Sequence, residues 1–467
     1  MTLSMKQILN ASVARIAQVG VVGGALIVAA QGVNAETLND ALAKAYATNP
    51  TLQAARATLR ATDEGMAQAV SGWRPSLTAT GTTSSKRFET SANPGVTTDS
   101  NPRTMTLTLN QSIFAGGQTM AAMSSAQNTI SAQRARLAGS EQTVMLNAAT
   151  AFLNVLRDQA VVELNMKNEQ VLTRHLEATQ DRFNVGEITR TDVHQAEARL
   201  AGSNANRIQA EGTLAASRAN YANLIGEAPT QLDQPAINFD LPQTLGAALD
   251  IAEKGNPALV SAIYDEKAAQ DSVSSTKGQL LPTLDLTGSA NRSYDTTTSY
   301  NRSDSLEAKL TLTVPLYQSG TVYSQLRQAR QQASALRLSV DQARRDTIEQ
   351  VRQAWQNLTT TRARIESIET QVRAAQTALE GVEREASVGS RTVLDVLDSE
   401  QELLDARVNL VTSQRDKTVA ELTLLSALGN LTAQGMNLAV DLYDTDRHYR
   451  DVRNKWFGSV DGGAAGQ

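Results

Sequence analysis

The chain has no cysteine. Disulfides are excluded, and so is a thiol for attaching a lipid near a processed N-terminus. Aromatic residues make up 4% of the 467 residues, with a net charge of -5. So few rings suit long helices packed side by side through small contacts better than one thick core, and the acidic balance argues against nucleic acid as a partner. Beyond the N-terminal segment no apolar run approaches the roughly 20 residues of a membrane-spanning helix. Three histidines, His175, His194 and His448, form no metal-spaced pair, and H-E-x-x-H is absent. The glycines at Gly20 to Gly24 lie in an apolar leader and form no phosphate loop, and there is no Walker motif. An enzyme reading therefore has no site to stand on, and no cofactor is expected.

Proline is scarce in an informative way. None of the ten prolines falls between residues 103 and 228 or after Pro315. Because proline breaks helix interiors, those two stretches are free to be helical throughout.

What is present is stated twice. At an offset of 207, Thr37-Leu38 falls on Thr244-Leu245, Asn49-Pro50 on Asn256-Pro257 and Pro75 on Pro282. From about residue 105 the offset is 203, aligning Leu107 with Leu310, Phe152 with Trp355, Gly186 with Gly389, Asp192 with Asp395 and Gly226 with Gly429. A tandem repeat this long means two copies of one supersecondary unit. The predicted organisation is a signal peptide over 1–35, repeat one over 36–230, repeat two over 231–429 and a C-terminal segment over 430–467 with a disordered end. The leader combines Lys6 and Arg15, an apolar stretch from Val19 to Ala30, and Val33-Asn34-Ala35 as a cleavage pattern, so export is expected.

Each repeat opens with a short amphipathic helix (Leu38 to Thr48; Leu245 to Gly255) and a second helix begun by Pro50 or Pro257 at its first turn. The period then changes to two. Leu306, Ala308, Leu310, Leu312 and Val314 alternate with Glu307, Lys309, Thr311 and Thr313, as Met105, Leu107 and Leu109 do with Thr106, Thr108 and Asn110. Alternation of this kind gives strands with one apolar and one polar face. The predicted hairpins span about 75–115 and 282–316, with long polar links at Ser84 to Arg103 and Asn291 to Ser305. Helical hairpins follow over 117–226 and 320–429, and their first arms of 69 residues correspond to roughly 100 Å. Phe152, Val155, Val162 and Met166 form one apolar seam, and Leu153, Leu156, Ala160, Leu164 and Val171 a second beside it, so the helix has neighbours on both sides.

Unpaired strand edges are forbidden in lipid, so separated hairpins with apolar faces need strands from other subunits to close a barrel. Helices of this length do not fit within a membrane and project from it. In this order, and doubled, the chain resembles the TolC family of outer-membrane efflux and type I secretion channels over essentially its whole mature length. The segments that carry the resemblance are Asn49-Pro50, Trp73-Arg74-Pro75, Arg182-Phe183-Asn184-Val185-Gly186 with Thr191-Asp192-Val193, and Val388-Gly389-Ser390-Arg391-Thr392-Val393-Leu394-Asp395-Val396-Leu397-Asp398.

The resemblance implies a mainly α protein with a β-barrel part. In the expected homotrimer, four strands per subunit make a twelve-stranded outer-membrane barrel, continued by a twelve-helix periplasmic tunnel pinched at its tip. It implies passive export of drugs or secreted proteins, a periplasmic adaptor (membrane fusion protein) and an inner-membrane ABC or RND transporter as partners, and outer-membrane lipid around the barrel. It also implies a gate of acids at Asp395 and Asp398, with closed-state links from Arg391 to Asp192 or Thr191. The tip turns at Val185, Gly186, Val388 and Gly389 would contact the adaptor. A tyrosine of the family's links is Ala386 here, which implies a looser closed state. Two alternatives stay beside these roles. Thr189-x-x-Asp192 and Thr392-x-x-Asp395 both fit helix capping boxes, so capping alone explains Asp395. Asp398 stands opposite Gln195, so the repeat leaves it unexplained. Gate acids brought together by three subunits would attract a divalent cation, although no resident metal is expected. Arg391 could instead be a solvated surface residue. Phe114 and Tyr317, in matching positions, read either as an interfacial aromatic belt or as packing at the junction of barrel and helices. A structural coiled-coil protein or a periplasmic adaptor without a pore is the competing class.

Overall fold

The computed structural model describes residues 36–89, 94–95, 97–234, 239–296 and 301–458. The predicted signal peptide and the end of the tail lie outside them. In chain order the elements are α1 (Leu38–Thr48), α2 (Pro50–Ser71), β1 (Ser76–Thr83), β2 (Lys86–Glu89), β3 (Thr97–Ser100), β4 (Arg103–Ala115), α3 (Gln118–Asn184) and α4 (Arg190–Ile225). The second half holds α5 (Leu245–Gly255), α6 (Pro257–Gly278), β5 (Thr283–Tyr294), β6 (Arg302–Thr313), α7 (Thr321–Ser387) and α8 (Val393–Leu428), and α9 (Arg447–Val452) follows. Corresponding helices of the two halves have equal lengths: α3 and α7 are 67 residues each, and α4 and α8 are 36 each.

The Asn-Pro pairs explain how helices stack end to end. Proline at the first position costs α2 and α6 no hydrogen bond. Asn49 accepts from Thr51 N–H at 3.0 Å and donates through Nδ2 to the Leu224 carbonyl at 2.9 Å. Asn256 does the same for Ala258 N–H and the Ala427 carbonyl, both at 3.0 Å. One side chain thus caps a new helix and satisfies the end of a returning one. As a result α4 and α2 together run alongside α3, and α8 and α6 run alongside α7. Their 36 and 22 residues sum to roughly 87 Å of helix against roughly 100 Å for the long arm.

Strands and helices share one lateral order. The sheet is antiparallel in the order β1-β4-β5-β6. Below it, α2 and α4 lie against α3, α3 lies against α6 and α8, and these lie against α7. Each strand therefore continues a helix of the same rank, and α3 has neighbours on both flanks. The β4–β5 pairing joins the two predicted hairpins into one sheet, a contact the repeat alone does not specify. Across the sheet Ala79, Leu107, Ala290 and Leu306 form one apolar row, with Thr80, Thr106, Asn291 and Ser305 the adjacent polar one. The first predicted link is not all loop, because β2 and β3 form a separate two-stranded sheet within it, with Arg87 and Asp99 paired at 2.7 Å.

The thickest packing is a belt at mid-height, where α1 and α2 meet α3 around Leu42, Leu52, Phe152 and Tyr221. The C-terminal segment wraps this belt. Arg56 stacks between Tyr46 and Tyr443 (4.4 and 5.1 Å to the ring centroids), and Arg134 pairs with Asp446 at 2.5 Å. The Glu141 carboxylate accepts from the Ala433 amide at 2.7 Å, and burial pushes its pKa above the usual carboxylate value. The first seam holds at Phe152, Val155 and Val162 and departs from the sequence reading at its last member. Met166 is exposed, while Asn165 and Asn168 are buried in its place.

Candidate functional site: the tip turns and the apolar sheet face

The two tips are built alike because the same local signals act twice. Gly186 and Gly389 adopt φ of 83° and 79°, the left-handed conformation that glycine takes without a Cβ clash. Gly186 N–H returns to the Phe183 carbonyl and Glu187 N–H to the Arg182 carbonyl, both at 2.9 Å. Gly389 returns to Ala386 at 3.1 Å and Ser390 to Glu385 at 2.9 Å. These paired bonds are Schellman closures of α3 and α7. Capping boxes then start the returning helices: Asp192 accepts from Thr189 N–H at 2.9 Å and from its hydroxyl at 2.8 Å, and Asp395 does the same from Thr392 at the same distances. The Thr392 N–H and hydroxyl hold the Asp395 carboxyl below the usual carboxylate range. Capping therefore occupies Asp395 but leaves it partly exposed to solvent.

Arg391 donates to Glu385 across its own turn at 2.9 Å, as Arg182 does to Glu187 at 3.1 Å. Within the chain it does not meet Asp192 or Thr191; Thr191 is exposed on the first turn of α4. Val185 and Val388 are left 73% and 79% exposed, apolar side chains presented at the outermost point of each hairpin.

Asp398 has a partner the sequence reading missed, Arg199 of α4. The pair ties the first helical hairpin to the second. A signal was available: Asp398 aligns with Gln195 and Arg199 with Glu402, so both members fall where the two copies differ in charge. Beneath this pair Leu172 and Leu176 of α3, Ala196 and Leu200 of α4, and Val393 and Leu397 of α8 form a small apolar cluster. Beside that cluster, three helices bring together His175, Glu383 and Glu400, a grouping not visible along the chain.

At the other end of the molecule the apolar sheet face has no cover within the chain. Leu77, Met105, Leu306, Leu310 and Leu312 are each more than 60% exposed. Phe114 sits at a bulge in β4 and Tyr317 just beyond β6; both are exposed, as is Trp73 in the turn before β1. No helix among the described residues is long and apolar enough to cross a membrane.

A lipid-ready strand face above long paired helical hairpins defines an outer-membrane channel protein and leaves the structural coiled-coil and adaptor alternatives without a use for that face. The outer membrane efflux protein family model matches residues 41–227 and 248–430, once for each repeat. The chain belongs to that family. It is 34% identical to the outer membrane efflux protein BepC of Brucella suis over 92% of this chain and 94% of that protein. It is 31% identical to the outer membrane protein TolC of Escherichia coli over 72% of this chain and 71% of that one. The solved CmeC outer membrane channel of Campylobacter jejuni has the same fold, with a TM-score of 0.76 at 15% identity over 89% of each chain. The protein is a transport channel of the outer membrane and not an enzyme.

Proposed function

We propose that three copies of this chain close side by side into a twelve-stranded barrel and a twelve-helix tunnel that opens and shuts at its periplasmic tip. The observation that carries this reading is the free pair of edges. β1 and β6 end the sheet, and the helices continuing them, α2 with α4 and α7, end the helical layer on the same two sides. A sheet with open edges and an exposed apolar face is not viable in lipid, whereas closure against a second copy satisfies both edges at once. The order of elements makes every junction between copies β6 against β1. Trp73, Phe114 and Tyr317 then form an aromatic belt at the inner membrane surface.

At the far end, Asp395 and Asp398 of each subunit line the constriction. Arg199 neutralises Asp398 in the arrangement described here, so Asp395 supplies the net negative charge that draws in divalent cations. Arg391 lies at the subunit border, where the neighbour's Asp192 and Thr191 supply further closed-state links. The exposed tips around Val185-Gly186 and Val388-Gly389 dock a periplasmic adaptor, which connects the channel to an inner-membrane ABC or RND transporter that energises export of drugs or proteins. Because the chain is free of cysteine, the closure is directly testable. Single cysteines placed in β1 at Thr80 and in β6 at Lys309, or at register neighbours of these, should give oxidised ladders that end at the trimer in native membranes. A ladder that ends at the dimer, or none from any register pair in folded protein, would overturn the closure.

A further inference from the structure

We infer that His175, Glu383 and Glu400 form a binding site for a divalent transition-metal ion, of which Zn²⁺ is the representative, and that the ion staples the two helical hairpins together near their tips. The three residues come from α3, α7 and α8. One donor atom from each lies within 4.8 Å of the other two, and His175 Nε2 is 3.9 Å from Glu400 Oε1. Donors around a tetrahedral Zn²⁺ at about 2.1 Å sit about 3.4 Å apart, so closing the site asks each side chain to move by less than about 1 Å.

The scaffold already fixes two of the three donors. The His175 and Glu400 side chains are 29% and 14% exposed, beside the apolar contact of Leu172 and Leu176 with Val393 and Leu397. The Thr179 hydroxyl also donates to the His175 carbonyl at 2.6 Å, holding that turn of α3. Glu383 is exposed and supplies the flexible third arm. Among the described residues no lysine or arginine pairs with Glu383 or Glu400, so two carboxylates stand beside the imidazole with no lysine or arginine to balance them. An imidazole with two carboxylates and an open position for water suits Zn²⁺, Co²⁺ or Ni²⁺, while Mg²⁺ and Ca²⁺ prefer all-oxygen sites. The site is separate from the proposed gate acids, and its occupancy does not depend on the trimeric reading. Only its effect on opening does.

The test uses the full chain purified without a histidine tag and stripped with chelator. Calorimetric titration with Zn²⁺ should show one saturable ion per chain, and Co²⁺ should give a visible ligand-field spectrum. His175→Ala and Glu400→Gln should each weaken Zn²⁺ by at least tenfold while keeping the wild-type circular dichroism. The Asp395→Asn/Asp398→Asn double variant should bind as wild type does. Zn²⁺ should also slow amide exchange in α3 and α8 around His175 and Glu400, and not in His175→Ala. No saturable Zn²⁺ in the folded wild type, or binding unchanged in both His175→Ala and Glu400→Gln, would overturn the site. Loss of binding in the gate double variant would instead put the ion at the constriction.

Discussion

Breaking the Arg199–Asp398 contact probes the tip most directly, because its two partners should behave alike in one assay and oppositely in another. The side chains are 41% and 56% exposed. An ion pair in that much solvent is worth about 0.5 kcal/mol. If three copies release together, the closed state loses about 1.5 kcal/mol, close to a tenfold rise in the open fraction. Single-channel recording in planar bilayers should show that rise for Arg199→Ala and for Asp398→Asn alike. Block by millimolar Mg²⁺ on the periplasmic side should split them. Asp398→Asn removes a charge near the mouth and weakens the block, whereas Arg199→Ala uncovers Asp398 and strengthens it. The swap Arg199→Asp with Asp398→Arg should restore the closed fraction. An unchanged open fraction in Arg199→Ala, or block moving the same way in both single variants, would refute the latch.

Three further outcomes follow from single residues. Leu397 is 2% exposed at the centre of the apolar cluster joining α3, α4 and α8, so Leu397→Ala should cost about 2–4 kcal/mol there; exchange should quicken at the tip and stay unchanged in the belt around Phe152. Thr392→Ala should cost about 1 kcal/mol of helix capping. It should also release Asp395, whose carboxyl Thr392 holds below the usual range. An acid with a lowered folded pKa stays charged until the pH falls through that value, so divalent block should fail at a higher pH in Thr392→Ala than in wild type. Burial raises the Glu141 pKa, and the sign is then opposite. Below the unfolded value both states are protonated and nothing is lost, while stability declines as pH rises through the folded value. Glu141→Gln, which keeps an oxygen for the Ala433 amide, should therefore match wild type in thermal unfolding near pH 4 and exceed it near pH 8.

The local signals in this chain were legible because each acts over a few residues. Thr37, Thr189 and Thr392 cap helices with an acid three residues on, Gly186 and Gly389 close others, and Asn49 and Asn256 start new ones beside proline. Period-two alternation marked β4 and β6, and proline-free stretches marked α3 and α7. The doubled order carried the family resemblance that the matches over both repeats bear out. What escaped the sequence depends on which distant faces meet. Nothing near Met166 foretold that Asn165 and Asn168 would be buried instead, because helix rotation is set by neighbours such as α4. The β2–β3 sheet was hidden in a run too short and polar to show alternation.

By itself, then, the sequence determined the helices and the four long strands, their approximate lengths, their twofold repetition and the apolar strand face, all of which rest on interactions along the chain. Only the tertiary structure decided that β4 pairs with β5, that Arg199 answers Asp398, and that His175, Glu383 and Glu400 come together. Those contacts join the two repeats across about 200 residues of chain, where side-chain spacing carries no phase information and packing alone chooses the partner.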